Sequence, residues 1–459
     1  MSGGEVSKMS DRDTTLADEP PRRRLPPAFT RRGLLKITGS VFAGAAGLTQ
    51  GVGGVTATDG GELWSFETGG EVHSSPTVVD DTVFIGSDDN HVYALDAADG
   101  TEEWSFKTGN VVRSSPQVID GTVFIGSELG DERVYALNAT DGARLWRFDT
   151  GQPIYSSPTV VDGTLFVGDL YNGLYAIDAE TGTEDWFFKT DYPVESSPTV
   201  VDGTVFVASG GTPVGSNGYV YALDAESGTE QWRFETGDKL RSSPTVVDGT
   251  VVVGNDLGGN REGGGVHALD ADDGTELWHF DTGQVRSSPT VIDGTAFVAS
   301  DDGYVYALSI EDGTENWSFK TGATFWSSSA TVVDDTVVVG SGDDNHVYAI
   351  DAEDGTENWS FETGDSVWSS PTVVAGTVFV GSDDGHVYAL DCGVEGSSEG
   401  SRTRLGTLGH HHTWADQDLT VETTDLFPDP GYALPAGIAG LGAAYLYRRR
   451  AADDELPNE

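Results

Sequence analysis

Between Glu62 and Asp391 four short signatures recur eight times each. A chain that repeats one unit of about 40 residues must fold as an array of that unit, because one copy cannot bury its apolar face alone. An aromatic and apolar strand is centred on Trp64, Trp104, Trp146, Trp186, Trp232, Trp278, Trp317 and Trp359, at spacings of 39 to 46 residues. A run like SSPTV begins at Ser74, Ser114, Ser156, Ser196, Ser242, Ser287, Ser328 and Ser369. Runs like TVFVG and YALD lie between them, with the β-branched and aromatic content and the alternation of half-buried strands. Each unit therefore holds four strands: A (SSPTV), B (TVFVG), C (YALD) and D (the tryptophan strand). Asp-Gly pairs in VVDGT and AEDGTE supply the positive φ of tight hairpins. No long helical pattern interrupts the array, which predicts an all-β fold, an eight-bladed β-propeller of four-stranded antiparallel blades. The first D strand precedes any A strand, and the last unit ends after its C strand. The strand Leu63 to Thr68 is thus expected to pair beside Val387 to Asp391 and close the last blade, leaving no open edge.

The segment Ala176-Ile-Asp178-Ala-Glu-Thr181-Gly182-Thr-Glu-Asp-Trp186 resembles the A-x-D-x-x-T-G-x-x-x-W motif of the PQQ-like (pyrroloquinoline quinone) repeat family. Seven further copies carry it with small changes, and the resemblance covers residues 62–391. It implies an eight-bladed propeller whose tryptophans dock between neighbouring blades. The residues alone give the same reading, since an aromatic side chain recurring once per blade is core packing.

Quinoprotein dehydrogenases of this family carry large insertions, a neighbouring cysteine pair and a calcium site with a catalytic aspartate. Here the blades are nearly minimal and there is one cysteine, Cys392, which excludes an intramolecular disulfide. The resemblance is therefore to the non-catalytic eight-bladed members of BamB type. It implies a binding scaffold with no catalytic residue, no cofactor and no metal, and a protein or a small anionic or planar ligand as partner. A PQQ-dependent surface oxidoreductase is the alternative, and a surface-layer or adhesion component a third reading.

Charge narrows the partners. Lysine and arginine number 25 against 75 acids, a net charge of −50. The acids are spread through every repeat, as on the solvating surface of a halophile. Nucleic acid is excluded as a partner, because binding phosphates needs a basic face.

The ends read as targeting segments. Arg31-Arg32, the apolar run after them and Val55-Thr56-Ala57 resemble a twin-arginine export signal over residues 1–57. Residues 58–61 are a short connector, 62–391 the propeller and 392–431 a Gly, Ser, Thr and Asp-rich flexible linker. Residues 432–450 hold 16 mostly apolar residues closed by Arg448-Arg449-Arg450, and 451–459 form an acidic tail. The apolar run fits a membrane anchor with its arginines on the cytoplasmic side. It also resembles an archaeal C-terminal sorting signal, with Tyr432 where that family usually has Phe. Either way the domain is expected outside the cell, tethered at the membrane.

Candidate sites follow from where the copies disagree. Alternating strand directions put the D–A and B–C loops on one face and the A–B and C–D turns on the other. Length varies in the B–C loops, at Glu128 to Arg133, Gly210 to Gly218 and Asn255 to Gly265. Chemistry varies just before the Ser-Ser pair, at His73, Arg113, Tyr155, Glu195, Arg241, Arg286, Trp326 and Trp368, where Trp326 carries a one-residue alignment ambiguity. Three of the eight arginines in residues 62–391 fall here, which predicts a locally basic, aromatic-lined channel mouth suited to an anion. The turns at Asp88-Asp89, Asp301-Asp302, Asp343-Asp344 and Asp383-Asp384 lack the ligand spacing of a calcium loop and read as hairpins on an acidic surface. His410-His411-His412 sits in the linker without fixed geometry. Asn138, Asn316 and Asn358 begin glycosylation sequons.

Overall fold

The computed structural model describes residues 60–398 except 172, 211–216, 238, 257–263, 326 and 395. The export signal, most of the linker, the anchor or sorting signal, the acidic tail and Trp326 lie outside the described residues. Eight four-stranded antiparallel sheets make the eight blades of a β-propeller. In blade 1 the strands are Thr77–Val79 (A), Thr82–Ser87 (B), His91–Asp96 (C) and Glu102–Lys107 (D). The central B and C strands are buried over most of their length, whereas D alternates buried and exposed residues, as expected of an outer edge.

Local chemistry sets the turns. At the A–B hairpins Asp120 and Gly121 take φ of 48° and 73°, and Asp248 and Gly249 take 48° and 78°. Two consecutive left-handed residues make the turn whose twist matches the strands it joins. Every C–D hairpin carries a bulge at the same place. In blade 5 Ala268 pairs with Trp278 and Leu269 with Glu276, so Leu277 has no opposite number.

The first strand closes the last blade. Glu62–Glu67 pairs antiparallel with His386–Asp391, as the order of signatures predicts. The covalent C–D turn of blade 1 is held by Gly100 N–H to Asp96 O at 2.8 Å and Asp96 N–H to Thr101 O at 2.9 Å. At the non-covalent junction Gly60 N–H donates to Asp391 O at 2.8 Å and Asp391 N–H to Gly61 O at 2.9 Å. Gly60 and Gly61, read as connector, thus complete a turn interrupted by the chain ends.

Neighbouring blades are joined by tryptophan. Trp64 Nε1 donates to Ala97 O of the next blade at 3.0 Å, and Trp104, Trp146, Trp186, Trp232, Trp278, Trp317 and Trp359 repeat the bond. Each indole lies flat on the glycine of the next C–D turn. A Cβ on Gly100 would come within 2.5 Å of Trp64, and one on Gly60 within 2.8 Å of Trp359. Glycine there meets two demands, a positive φ and room for the ring.

The Ser-Ser pairs form a second seam near the axis. The backbone N–H of Ser75 donates to Ser115 Oγ at 3.0 Å, and the same bond runs through Ser115, Ser157, Ser197, Ser243, Ser288 and Ser329 to Ser370. Ser370 N–H then donates to Ser75 Oγ at 2.8 Å and closes the circle. Threonine hydroxyls reinforce it by donating to the carbonyl two residues on in the next blade's signature, as Thr77 does to Pro116 and Thr372 to Pro76. Within each blade the first serine bonds the end of strand B; Gly86 N–H donates to Ser74 Oγ at 3.1 Å.

Residues 392–394 and 396–398, at the start of the segment read as linker, are docked on blade 8. Val373 N–H donates to Ser398 Oγ at 2.9 Å, Ser398 N–H to Val373 O at 2.7 Å and Gly376 N–H to Gly396 O at 2.9 Å, while Cys392 is buried in the core. The segment satisfies backbone groups of the strand Thr372–Val374 that no neighbouring strand pairs.

Deleting residues 60–68 is expected to bare the edge of His386–Asp391 and cause association or unfolding, read by light scattering and the thermal midpoint. A deletion variant that stays monomeric with an unchanged midpoint contradicts this. Ser243→Ala leaves the buried Ser197 N–H without its acceptor and should cost about 1–3 kcal/mol in denaturant unfolding.

Candidate functional site

The residue before each Ser-Ser pair lies a few residues ahead of strand A, as His73 does before Thr77–Val79. Several of these residues meet acidic side chains of the loops that follow the B strands in a ring of ion pairs. His73 Nε2 lies 2.8 Å from Asp383 and 3.4 Å from Glu71. Arg113 Nε donates to Asp88 Oδ1 at 2.8 Å and lies 3.9 Å from Glu128. Arg241 meets Glu195 at 3.1 Å and Asp256 at 3.3 Å. Arg286 meets Asp256 at 3.3 Å and Asp301 at 3.5 Å. Tyr155 hydrogen-bonds Glu128, Trp368 stacks on His73 with ring centroids 4.8 Å apart, and Ser327 Oγ donates to Trp368 O. Since Ser328 and Ser329 make the bonds of the blade 7 pair, the ring position there is Ser327, one residue after Trp326.

The ring residues are buried, Arg241 being 1% exposed and His73 2%, and the mouth holds acidic side chains beside its cations. Each arginine lies beside two acidic side chains, supplied by Asp88, Glu128, Glu195, Asp256 and Asp301. Cationic side chains buried this deeply require such partners. Of the partner set, sequence reasoning named Glu195 but placed Asp88, Asp301 and Asp383 on exposed hairpins. The signal was their constant offset, directly after Ser87, Ser300 and Ser382. In these three doublets the first aspartate turns in to a cation and the second locks the loop. Asp89 accepts from Gly69 N–H at 2.7 Å and from the Tyr93 hydroxyl at 2.6 Å, and Asp384 does the same with Gly364 and Tyr388.

Burial disturbs the titration of these groups. It raises Glu128 to about 8 against the pull of Arg113, and Asp301 to about 7 against the pull of Arg286. Burial opposes the charge on His73, but its bonds to Asp383 and Glu71 outweigh it and push the imidazole up to about 9. Glu71, His73 and Asp88 bring three candidate metal ligand atoms within 4.8 Å of one another, with His73 Nε2 already 2.8 Å from Asp383.

The remaining sequence candidates are placed as follows. The eight tryptophans sit in the blade seams. Asn316 and Asn358 are exposed on outer D strands, while Asn138 is half-buried and accepts from Thr140 N–H at 2.8 Å.

The comparisons agree with this architecture. Family models described as outer membrane protein assembly factor BamB match residues 48–154, 130–214, 216–341 and 320–398. BamB from Moraxella catarrhalis is 17% identical, with a TM-score of 0.60 over 72% of this chain and 99% of that one. The computationally designed Ika8 protein is 18% identical with a TM-score of 0.61, covering 72% and 99%. A quinohemoprotein alcohol dehydrogenase from Pseudomonas putida is 17% identical with a TM-score of 0.54, covering 72% and 76%. At such identities the likeness is one of fold. No curated protein sequence matches the chain.

Because Glu128 and His73 hold protons more tightly in the folded state, each stabilises the fold at low pH and loses that contribution as pH rises. For Glu128 the window runs from 4.5 to about 8 and for His73 from 6.5 to about 9. Glu71 and Asp131, whose values are lowered, titrate below these windows. The thermal midpoint should therefore fall from pH 5 to pH 9, and Glu128→Gln should flatten the slope below pH 8. An identical pH profile in that variant would refute the assignment.

Proposed function

As the chain belongs to the PQQ-repeat family whose model is described as the outer membrane protein assembly factor BamB, we propose that it is a binding or scaffold propeller. Its partner is a protein held on the D–A/B–C loop face. In this proposal residues 1–57 export the domain and residues 432–450 tether it at the outer side of the cell membrane.

The observation that carries the reading is the difference between the two faces. On the A–B/C–D face the same turns recur with the same bonds. On the opposite face the blades diverge in loop length and sequence, and the diverging loops carry apolar and aromatic side chains. Leu129 of the blade 2 loop is 42% exposed. Tyr171 follows in the blade 3 loop, partly exposed. Tyr192 lies parallel to Tyr219 at 6.1 Å, and Arg233 sits over Tyr219 at 5.3 Å. Aromatic and arginine side chains with an apolar neighbour are the usual anchors of a protein interface. The buried ring beneath holds the loops in place. Its cations already lie beside acidic side chains, so it does not suit a polyanionic quinone such as PQQ, and the dehydrogenase reading gains nothing from it.

Cross-linking at the cell surface in high salt should recover a defined partner with the native chain. A variant carrying Leu129→Ser, Tyr171→Ser and Tyr192→Ser should recover it at least 10-fold less well, with an unchanged thermal midpoint. Equal recovery would place the partner elsewhere. Dye-linked alcohol oxidation after loading with PQQ and calcium would restore the enzyme reading.

A further inference from the structure

Blade 5 departs from the repeat at two facing positions on its outer hairpin. Strand C carries tyrosine in the other seven blades, at Tyr93, Tyr135, Tyr175, Tyr221, Tyr306, Tyr348 and Tyr388, but His267 here. Strand D carries His279 where blades 1, 6, 7 and 8 have Ser105, Ser318, Ser360 and Ser65. The two histidines are register partners, with ring centroids 4.3 Å apart. The bulge at Leu277 brings Glu276 onto their face, because it sets Glu276 opposite Leu269, two residues on from His267. His267 Nδ1 is 2.8 Å from Glu276 Oε1. Gly265 leaves the space that His279 fills, since a Cβ there would come within 2.5 Å of its ring.

We propose that His267, His279 and Glu276 form a binding site for one divalent transition ion, zinc being the best match. The three side chains place one ligand atom each within 4.8 Å of one another. Tetrahedral zinc with bonds of about 2.0–2.1 Å holds its ligand atoms roughly 3.3 Å apart, so small rotations of His279 and Glu276 close the set. Two imidazoles and a carboxylate are borderline donors that favour zinc over the harder magnesium and calcium. His279 Nδ1 is buried with no hydrogen-bond partner among the described residues, and a metal supplies one. Phe234 of blade 4 packs edge-on against His267 at 5.8 Å and fixes the ring from behind. Exposure rises from His267 at 1% through His279 at 17% to Glu276 at 37%, so the ion enters from the outer surface with a water completing its shell. The site lies on the outer hairpin of one blade and does not depend on the partner proposed above.

The test is zinc competition against a chromogenic chelator, using the full chain in molar salt with excess magnesium to occupy surface carboxylates. One zinc per chain is expected, and it should persist when His410, His411 and His412 are all changed to alanine. His267→Tyr and His279→Ser restore residues that other blades carry, so the thermal midpoint without metal should hold. Each should weaken zinc binding by about 100-fold or more. Cobalt at the native site should give the absorption bands of a tetrahedral complex, lost in both variants. Absence of a stoichiometric site, or zinc binding unchanged in His267→Tyr and His279→Ser, overturns the proposal.

Discussion

A propeller has no central core, so its stability rests on whatever joins each blade to the next. In this chain the joint nearest the axis is the serine circle. Each link is a backbone N–H that has left its own sheet and is accepted by a hydroxyl of the following blade. A buried N–H must find an acceptor, and here it finds one only if the next blade is in register. The circle therefore sets blade spacing as well as contributing stability. It also explains why the serine pair recurs unchanged in all eight blades while the residue just before it differs from blade to blade.

The tryptophan seam does at larger radius what the serines do near the axis. It adds apolar burial, since the Trp64 ring packs against Phe379 at 5.8 Å and Trp104 against Phe84 at 5.9 Å. The two seams make the closing strand effective. Glu62–Glu67 brings Trp64 with it, so one segment supplies the missing edge of blade 8 and the indole that grips blade 1. Polar registration inside and aromatic packing outside close the ring without a covalent link.

How much of this was legible follows from which features repeat. The blades, the closure and the tryptophan seam were readable because eight copies average away local noise, and a residue type present in every copy can be assigned from its periodicity. The serine circle was not, since a strand signature does not show which blade its hydroxyls reach. The ion-pair ring was half readable. His73, Arg113, Arg241 and Arg286 stood out as departures from the repeat, but a single sequence gives no depth, and acids such as Asp88 and Asp301 look like any other turn aspartate on a chain of net charge −50. Their role depends on a contact between the B–C loop and the start of an A strand, often in the next blade, which no local pattern encodes. Ser327 was hidden by a one-residue shift. The docked segment up to Ser398 was hidden because serine hydroxyls that bond a strand's backbone look like any others in a Ser- and Gly-rich stretch.

The same logic separates scaffold from function in this molecule. Where copies agree, selection on any one blade is selection for fitting its neighbours, and the residues answer to geometry. Where one copy departs and a second departure compensates it, the pair answers to something else. Gly265 beside His279 is one such pair, as Gly173 beside Phe187 is in blade 3, where a Cβ would come within 2.5 Å of the Phe187 ring. The ring cations and their acids are another. Arg286 of blade 6 needs Asp256 of blade 5, and Arg113 of blade 2 needs Asp88 of blade 1. A buried arginine without its partner would cost several kcal/mol, so each such pair must be kept or lost together. The ring is thus a fixed platform, and loop residues outside it, Leu129 and Tyr192 among them, are not tied to a partner acid in the same way.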